Sequence, residues 1–413
     1  MAKIGILTFH RSINCGAVAQ CYSLTRRIQK DFPDATVEVI DYVPQFRLDN
    51  YNPSISKFLV RSFSLKRGLL FNIKLALKKI STLLFHREYL REKKIRYKKF
   101  QESMSALPLS EKKYRQNDVE EFCKEVQNEY DVIVVGSDCV WEWTTVPFPN
   151  AYYLCGKYGA VKLSYAASVG TDDHKKLSKE QQKALSTALA DFFYVGVRDT
   201  SSEYVVKGVN EDLQPNHNCD PSTFFDVSEL SEYKKQVEEI LVSRGIDLNK
   251  PIVGIMGDER VAKLAKSIFG NSVQYVALYA SNHLCDVSLV DLTVLQWTTA
   301  FSFFDITFTT YFHGTMFSLV NLTPVISLDY LPETTEQITK LHELYSKRLD
   351  LPGFYHRGKQ YFGKDDIERI GSIAKHLIKN PPKEKIAQEL CKESESYMSF
   401  HNALRKALSY GEM

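Results

Sequence analysis

The stretch that most constrains this chain is 305–329, DITFTTYFHGTMFSLVNLTPVISLD. Its β-branched and aromatic residues from 306 to 310 read as a buried strand, and His313, Gly314 and Thr315 as a turn. The apolar run 316–322 reads as a helix closed by Pro324, and 325–328 as the next strand. Strand, turn, helix and strand in that order build a parallel sheet, and ligands collect at the carboxyl ends of such strands. Gly314 lets backbone come close to a ligand, and the free N–H groups opening the helix favour an anion. His313 adds an imidazole. The same residues also suit an ordinary strand–helix turn, with Thr315 as a cap and a solvated His313.

The same alternation runs through the chain. Strands are expected at 3–9, 37–42, 130–136, 161–168 and 192–197, then at 251–256 and 273–280. Helices are expected at 17–28, 262–269, 292–300 and 365–379, with one long final helix at 384–408. At 413 residues the chain exceeds one compact core, so two α/β domains are expected. The divisions fall at 1–220, 221–385 and a terminal helix, 386–413, packed back across both. A net charge of +3 gives no reason to expect nucleic acid. No apolar run reaches the ~18 residues of a membrane span. The eight cysteines are scattered without a CxxC pair, and no two histidines stand at ligand spacing. Neither disulfides nor a metal are expected, and the chain reads as cytoplasmic.

Several strand ends carry candidate chemistry. After the first come Asn14 and Gly16, at a turn opening a helix suited to a polar or anionic ligand. YDVIVVG at 130–136 runs into Ser137, Asp138 and Trp141, which places a carboxylate where active-site groups gather. An N-cap is the plainer role for that aspartate. Arg198 follows another strand and can grip a carboxylate or phosphate in two-pronged fashion, or pair with Asp199. Between 56 and 99, fourteen lysines and arginines face only Glu88 and Glu92, interleaved with Phe, Leu and Ile. A basic amphipathic segment of this kind fits an anionic membrane surface as well as a solvated helical insertion.

Taken together, GILTFHRSINCGAVAQCYSL, VVGSDCVW, SYAAS, VGVRD, CDPS and YFHGTMFSL resemble the polysaccharide pyruvyl transferase family in order and spacing over residues 3–330. The resemblance implies an α/β fold of two Rossmann-like domains facing across a cleft, GT-B-like, with a basic helical insertion in the N-terminal domain. It implies transfer of the enolpyruvyl carbons of phosphoenolpyruvate to two sugar hydroxyls, giving a pyruvate ketal, with no further cofactor. Under that reading Arg198, His313, Gly314 and Thr315 hold the donor, and His313 and Asp138 handle protons. Asn14, Gly16, Ser137 and Trp141 then line the acceptor side. Tyr311 stands where some members carry Arg, and Cys139 where GSDQxW has Gln. The missing cation has to come from elsewhere, with Arg260 or Lys263 as candidates. A nucleotide-sugar glycosyltransferase and a non-catalytic glycan- or membrane-binding protein remain as alternatives.

Acceptors in surface-glycan pathways are often lipid-linked, so the basic stretch is expected to dock the enzyme on the inner membrane face. Deleting 56–99 should abolish co-sedimentation with anionic vesicles, and unchanged binding would remove that role.

Overall fold

The computed structural model describes residues 1–51, 87–330, 339–358 and 362–410. Most of the basic stretch, 56–86, lies outside these residues. Two all-parallel sheets organise the rest. The first has the order β3-β2-β1-β4-β5-β6-β7. Its strands are β1 (Lys3–Leu7), β2 (Thr36–Tyr42), β3 (Leu109–Tyr114), β4 (Val132–Asp138), β5 (Val161–Ala167), β6 (Gly196–Val197) and β7 (Asn216–His217). The second runs β10-β9-β8-β11-β12-β13. It comprises β8 (Ile252–Met256), β9 (Gln274–Leu278), β10 (Val287–Leu289), β11 (Ile306–Thr309), β12 (Val325–Asp329) and β13 (Tyr355–Arg357).

Each sheet reverses its strand order once. β1 pairs with both β2 and β4, with Ile4 opposite Val132, and β8 pairs with both β9 and β11, with Met256 opposite Thr309. Connections leave to opposite faces at such a reversal, and a crevice opens at the carboxyl ends of the strands. The central strands are buried on both faces and therefore read as unbroken Val/Ile runs, as in Val132 to Val135.

Four helices set the relation of the sheets to the site: α1 (Cys15–Asp31), α2 (Arg87–Ser103), α3 (Thr200–Val209) and α4 (Phe312–Val320). Helix α1 belongs to the first sheet by sequence, yet Cys15, Val18, Ala19 and Cys21 join the apolar core of the second. Helix α2 carries the described end of the basic stretch and lies against the second sheet's layer. Arg96 packs over the Tyr279 ring and donates to its carbonyl at 3.4 Å, and Val294 N–H donates to Ser103 Oγ at 2.9 Å. No helix among the described residues is long and apolar enough to cross a membrane.

The expected final helix is two helices, Lys383–Ser394 and α5 (Tyr397–Tyr410). It breaks because residue 396 is claimed by the chain crossing between the sheets. Ser396 Oγ accepts from Cys219 N–H at 2.8 Å, and its carbonyl accepts from Asn218 Nδ2 at 3.1 Å. Helix α5 then covers the first sheet, placing Tyr397, Phe400, Leu404 and Ala407 on Ile4, Ile6, Val132 and Val134. The helix at Lys364–Lys379 and the strands β8, β9, β11 and β12 lie within two residues of the expected positions. β3, β7, β10 and β13 have no counterpart in the sequence reading, being short or polar strands toward the sheet edges.

Phe400 is fully buried, with its ring 4.8 Å from Tyr165 and 5.8 Å from Tyr194. Phe400→Ala is expected to cost roughly 3–5 kcal/mol in urea denaturation, the range for a buried aromatic truncated to alanine. A loss under about 1 kcal/mol would show that α5 does not hold the first sheet.

Candidate functional site

The carboxyl ends of β1 and β4 face those of β11 and β12, and the side chains between them form one polar cluster. From the second sheet, β11 ends at Thr309 and α4 begins at Phe312, which puts His313 in the first helical turn rather than in a turn before it. Tyr311, the N-cap residue of α4, makes no side-chain capping hydrogen bond. From the first sheet, Asn14 caps α1, its Oδ1 accepting from Gly16 N–H at 3.0 Å. Gly16 lies flat against the imidazole: a Cβ there would stand 1.9 Å from His313 Cδ2. The first turns of two helices, one from each sheet, thus meet on one histidine.

Arg198 is the buried centre of the cluster. Its Nη1 donates to Asp220 Oδ2 at 2.9 Å, its Nη2 lies 3.5 Å from Cys139 Sγ and 4.0 Å from Asp138 Oδ1, and Phe312 covers it at 5.8 Å. Burial opposes its charge, but Cys139, Asp220, Asp138 and Asp199 outweigh burial and raise its pKa. Asp199 is chiefly a helix cap. Its oxygens accept from Ser202 N–H, Ser202 Oγ and Ser168 Oγ, at 2.9, 2.5 and 2.5 Å, and Arg198 Nε stands 3.9 Å away. Asp220 also accepts from Ser222 N–H and Oγ at 3.0 and 2.7 Å. Burial would raise its carboxyl, but His313, Arg198 and Ser222 hold it below the usual range.

His313 Nδ1 lies 3.5 Å from Ser222 Oγ. Burial pushes the imidazole below its ordinary value; Asp220 and Asp138 pull it back, and Arg198 and Lys340 push it further down. The ring is therefore neutral at pH 7. Asp138, the last residue of β4, has φ of 85°, a strained conformation for a residue with a side chain. Its Oδ1 accepts from Cys139 N–H at 2.8 Å.

Lys340 completes the cluster, and the sequence reading did not select it. Thr339 donates to Asp329 Oδ2 at 2.5 Å, fixing the short helix Lys340–Glu343 to the end of β12. Lys340 Nζ then reaches across to Cys139 Sγ at 3.0 Å. Glu343 Oε1 accepts from Thr200 N–H at 3.0 Å and Oγ1 at 2.7 Å, and Arg348 donates to the Arg198 carbonyl, so this segment clamps the N-terminus of α3. Lys340 is the first cation after β12 in the sequence, and that position was the available signal. Asp220 and Cys139 were visible only as parts of longer motifs.

The structure brings His313, Arg198, Asp138, Asn14 and Gly16 together and corrects the other assignments. Ser137 is 0% exposed and donates to Gln20 Oε1 at 2.8 Å, joining β4 to α1 rather than lining a cleft. Trp141 is equally buried, stacked on Tyr153, with its indole N–H on the Tyr152 carbonyl at 3.0 Å. Thr315 points into the core, its Oγ1 2.7 Å from Ser327 Oγ. Gly314 makes room for the sheet, since a Cβ would meet Thr309 Oγ1 at 2.3 Å and Met256 Sδ at 2.9 Å. Arg260 is held by Asp258 at 2.6 Å over the Tyr330 ring, and Lys263 pairs with Glu259 at 3.2 Å. Both line a cavity of about 630 Å³ with Phe362, and Lys340 takes the position in the cluster that was sought for them. Among the described residues, no group of three or more His, Cys, Asp or Glu is arranged to hold a metal ion.

Two Rossmann-like sheets with their switch points face to face make this a GT-B-type architecture. UDP-GlcNAc 2-epimerase from Neisseria meningitidis bound to UDP-GlcNAc superimposes with a TM-score of 0.55 at 11% identity, over 98% of this chain and 100% of that one. The UDP-GlcNAc 2-epimerase from Methanocaldococcus jannaschii gives 0.50 at 9% identity, over 99% of each chain. At such identities the likeness is one of fold. No curated protein matches the chain. The chain belongs to the polysaccharide pyruvyl transferase family, whose model matches residues 14–332, and is by that membership a transferase acting on a sugar acceptor.

Gly16→Ala has to displace the His313 ring. It is expected to lower turnover at least about tenfold, the effect of shifting side chains of a site by about 1 Å, without unfolding the protein. Wild-type activity in a folded Gly16→Ala protein would remove His313 from the site.

Proposed function

We propose that this protein transfers the enolpyruvyl unit of phosphoenolpyruvate to two hydroxyls of a sugar in a surface polysaccharide or its lipid-linked precursor. The observation that carries this reading is the convergence of Arg198, Lys340 and His313 near the N-terminus of α4, which has no side-chain cap. A small donor with a carboxylate and a phosphate needs two cations and a set of N–H donors in a confined space. Lys340 answers for the cation absent at Tyr311.

The reaction adds two hydroxyls across one enol carbon and expels phosphate. One hydroxyl proton ends on the methylene, which becomes methyl, and the other leaves with the phosphate. Without donor, burial outweighs the carboxylate neighbours of His313 and holds its imidazole neutral. A donor phosphate beside it adds negative charge and raises its pKa, so the ring gains a proton on binding and can deliver it. Asp138, held toward Arg198 at the end of β4, accepts the hydroxyl proton of the sugar. Asn14, the exposed cap of α1, faces the acceptor side. Docking to an anionic membrane rests on the sequence at 56–86; in the described part of α2, Arg96 is engaged with Tyr279.

Calorimetry with phosphoenolpyruvate tests the donor. Wild type should bind, and Arg198→Ala, Lys340→Ala and His313→Ala should each lose about 2–4 kcal/mol, as expected when one member of a charged pair is lost. Binding at pH 7 in buffers of different ionisation enthalpy should show proton uptake, because the His313 pKa is low in the free protein and higher in the complex. That uptake should vanish in His313→Ala. Binding of a nucleotide sugar with indifference to phosphoenolpyruvate would instead favour a glycosyltransferase on the same fold.

A further inference from the structure

A second polar cluster stands at the carboxyl ends of three neighbouring strands. Arg11 follows β1, Asp41 lies near the end of β2 and Arg115 follows β3. Arg11 Nε and Nη2 donate to the two oxygens of Asp41 at 2.5 and 2.6 Å, and Arg115 Nη2 donates to Oδ1 at 3.2 Å. Arg115 Nη1 serves the fold, donating to the carbonyls of Asp41 and Tyr114 at 2.6 and 2.8 Å. His10 Nε2 meets the same Oδ1 at 3.2 Å, and burial pushes this imidazole below its ordinary value, so it is neutral at pH 7. Burial would raise the Asp41 carboxyl, but Arg11 and His10 hold it well below the usual range. Two guanidiniums thus share one carboxylate, and among the described residues no second acid pairs with either. Burial and the Arg11 charge lower the Arg115 guanidinium, and Asp41 offsets only part of this. Asp41 is 1% exposed, whereas Arg11 and Arg115 are 13% and 25% exposed and reach the surface.

Surplus positive charge partly withdrawn from water, with N–H donors at the surface, favours an oxyanion. We propose that Arg11 and Arg115 form an anion subsite for a phosphate group carried by the acceptor, so that the protein works on a sugar phosphate rather than a neutral glycan. The placing suits one molecule that spans both clusters. β2 lies two strands from β4, roughly 10 Å at the ordinary strand spacing, which leaves room for a sugar between the phosphate and Asp138. Arg11 also precedes Asn14 by only three residues, in the loop that opens α1 on the acceptor side. A phosphate has three free oxygens and can accept from both guanidiniums while Asp41 keeps its own bonds. The anion subsite stands on geometry by itself; its assignment to the acceptor rests on the transferase reading.

Inorganic pyrophosphate is the probe, and labelling of arginines in the full chain with phenylglyoxal, read by peptide mass spectrometry, is the first measurement. At saturation, pyrophosphate should slow labelling of Arg115 in wild type at least about fivefold and leave the exposed Arg405 unchanged. No protection of Arg115 overturns the subsite. Lys340→Met, which removes a cation of the donor pocket, should keep that protection; its loss would place the anion in the donor pocket and overturn the assignment. By calorimetry, adding Arg115→Gln to Lys340→Met should weaken pyrophosphate about tenfold, and unchanged affinity in the folded protein counts against the subsite. For the acceptor, glucose 1-phosphate or undecaprenyl diphosphate in detergent should displace pyrophosphate, the first alone marking a soluble sugar phosphate and the second a lipid-linked one. Glucuronate displacing it as well as either overturns the phosphate assignment, and displacement by none of them overturns the acceptor role. If the protein binds no phosphoenolpyruvate, the donor reading fails, while the pyrophosphate results stand by themselves.

Discussion

The Arg198 guanidinium holds this molecule's working parts in one place. It lies beyond reach of bulk water, and four acceptors from three segments have gathered around it: Asp138 and Cys139 after β4, Asp199 at the start of α3, and Asp220 at the crossing between the sheets. A buried charge is costly unless it is paired, so these segments cannot drift apart independently. The backbone carbonyl of the same residue receives Arg348 from the second sheet's side. One residue thus ties the end of the first sheet to the layer that carries His313 and Lys340. Such a pair adds little net stability compared with an apolar replacement, but it fixes geometry, which a site for a small charged donor requires.

Much of this was legible in the sequence because parallel strands buried on both faces leave an unmistakable apolar signature. Once the strands are placed, their carboxyl ends select Asn14, Asp138, Arg198 and His313. The failures share a physical cause. Trp141, Ser137 and Thr315 stand beside chemically useful residues in the sequence, but pattern does not report which way a side chain turns. Trp141 and Thr315 turn inward, to Tyr153 and Ser327, and Ser137 to Gln20. The broken final helix hides for a related reason. Nothing local interrupts its periodicity, and the break is set by Asn218 and Cys219, some 177 residues earlier in the chain.

Lys340 supplies a cation beside Cys139. Tyr311 supplies no cation, and Cys139 replaces an amide with an ionisable sulfur. Lys340 lies close to His313, whose neutrality it helps to enforce, and its ammonium rests on Cys139. The cation thus comes from a segment after β12 rather than from the start of α4. Fold likeness alone would not reveal it, since the GT-B neighbours share about a tenth of their residues with this chain.

The chain passes between the sheets twice, at 218–251 and again at 380–397, and the two passages are hydrogen-bonded to each other through Ser396. A single connection would leave the halves free to twist about any direction. Two strands bound side by side act as a door hinge with one pin. Asp220 stands one residue beyond that join, so the carboxylate that holds Arg198 at 2.9 Å is anchored where the two passages meet. The charge centre is therefore built onto the same short segment that joins the halves, and the geometry of the site is tied to the geometry of the crossing.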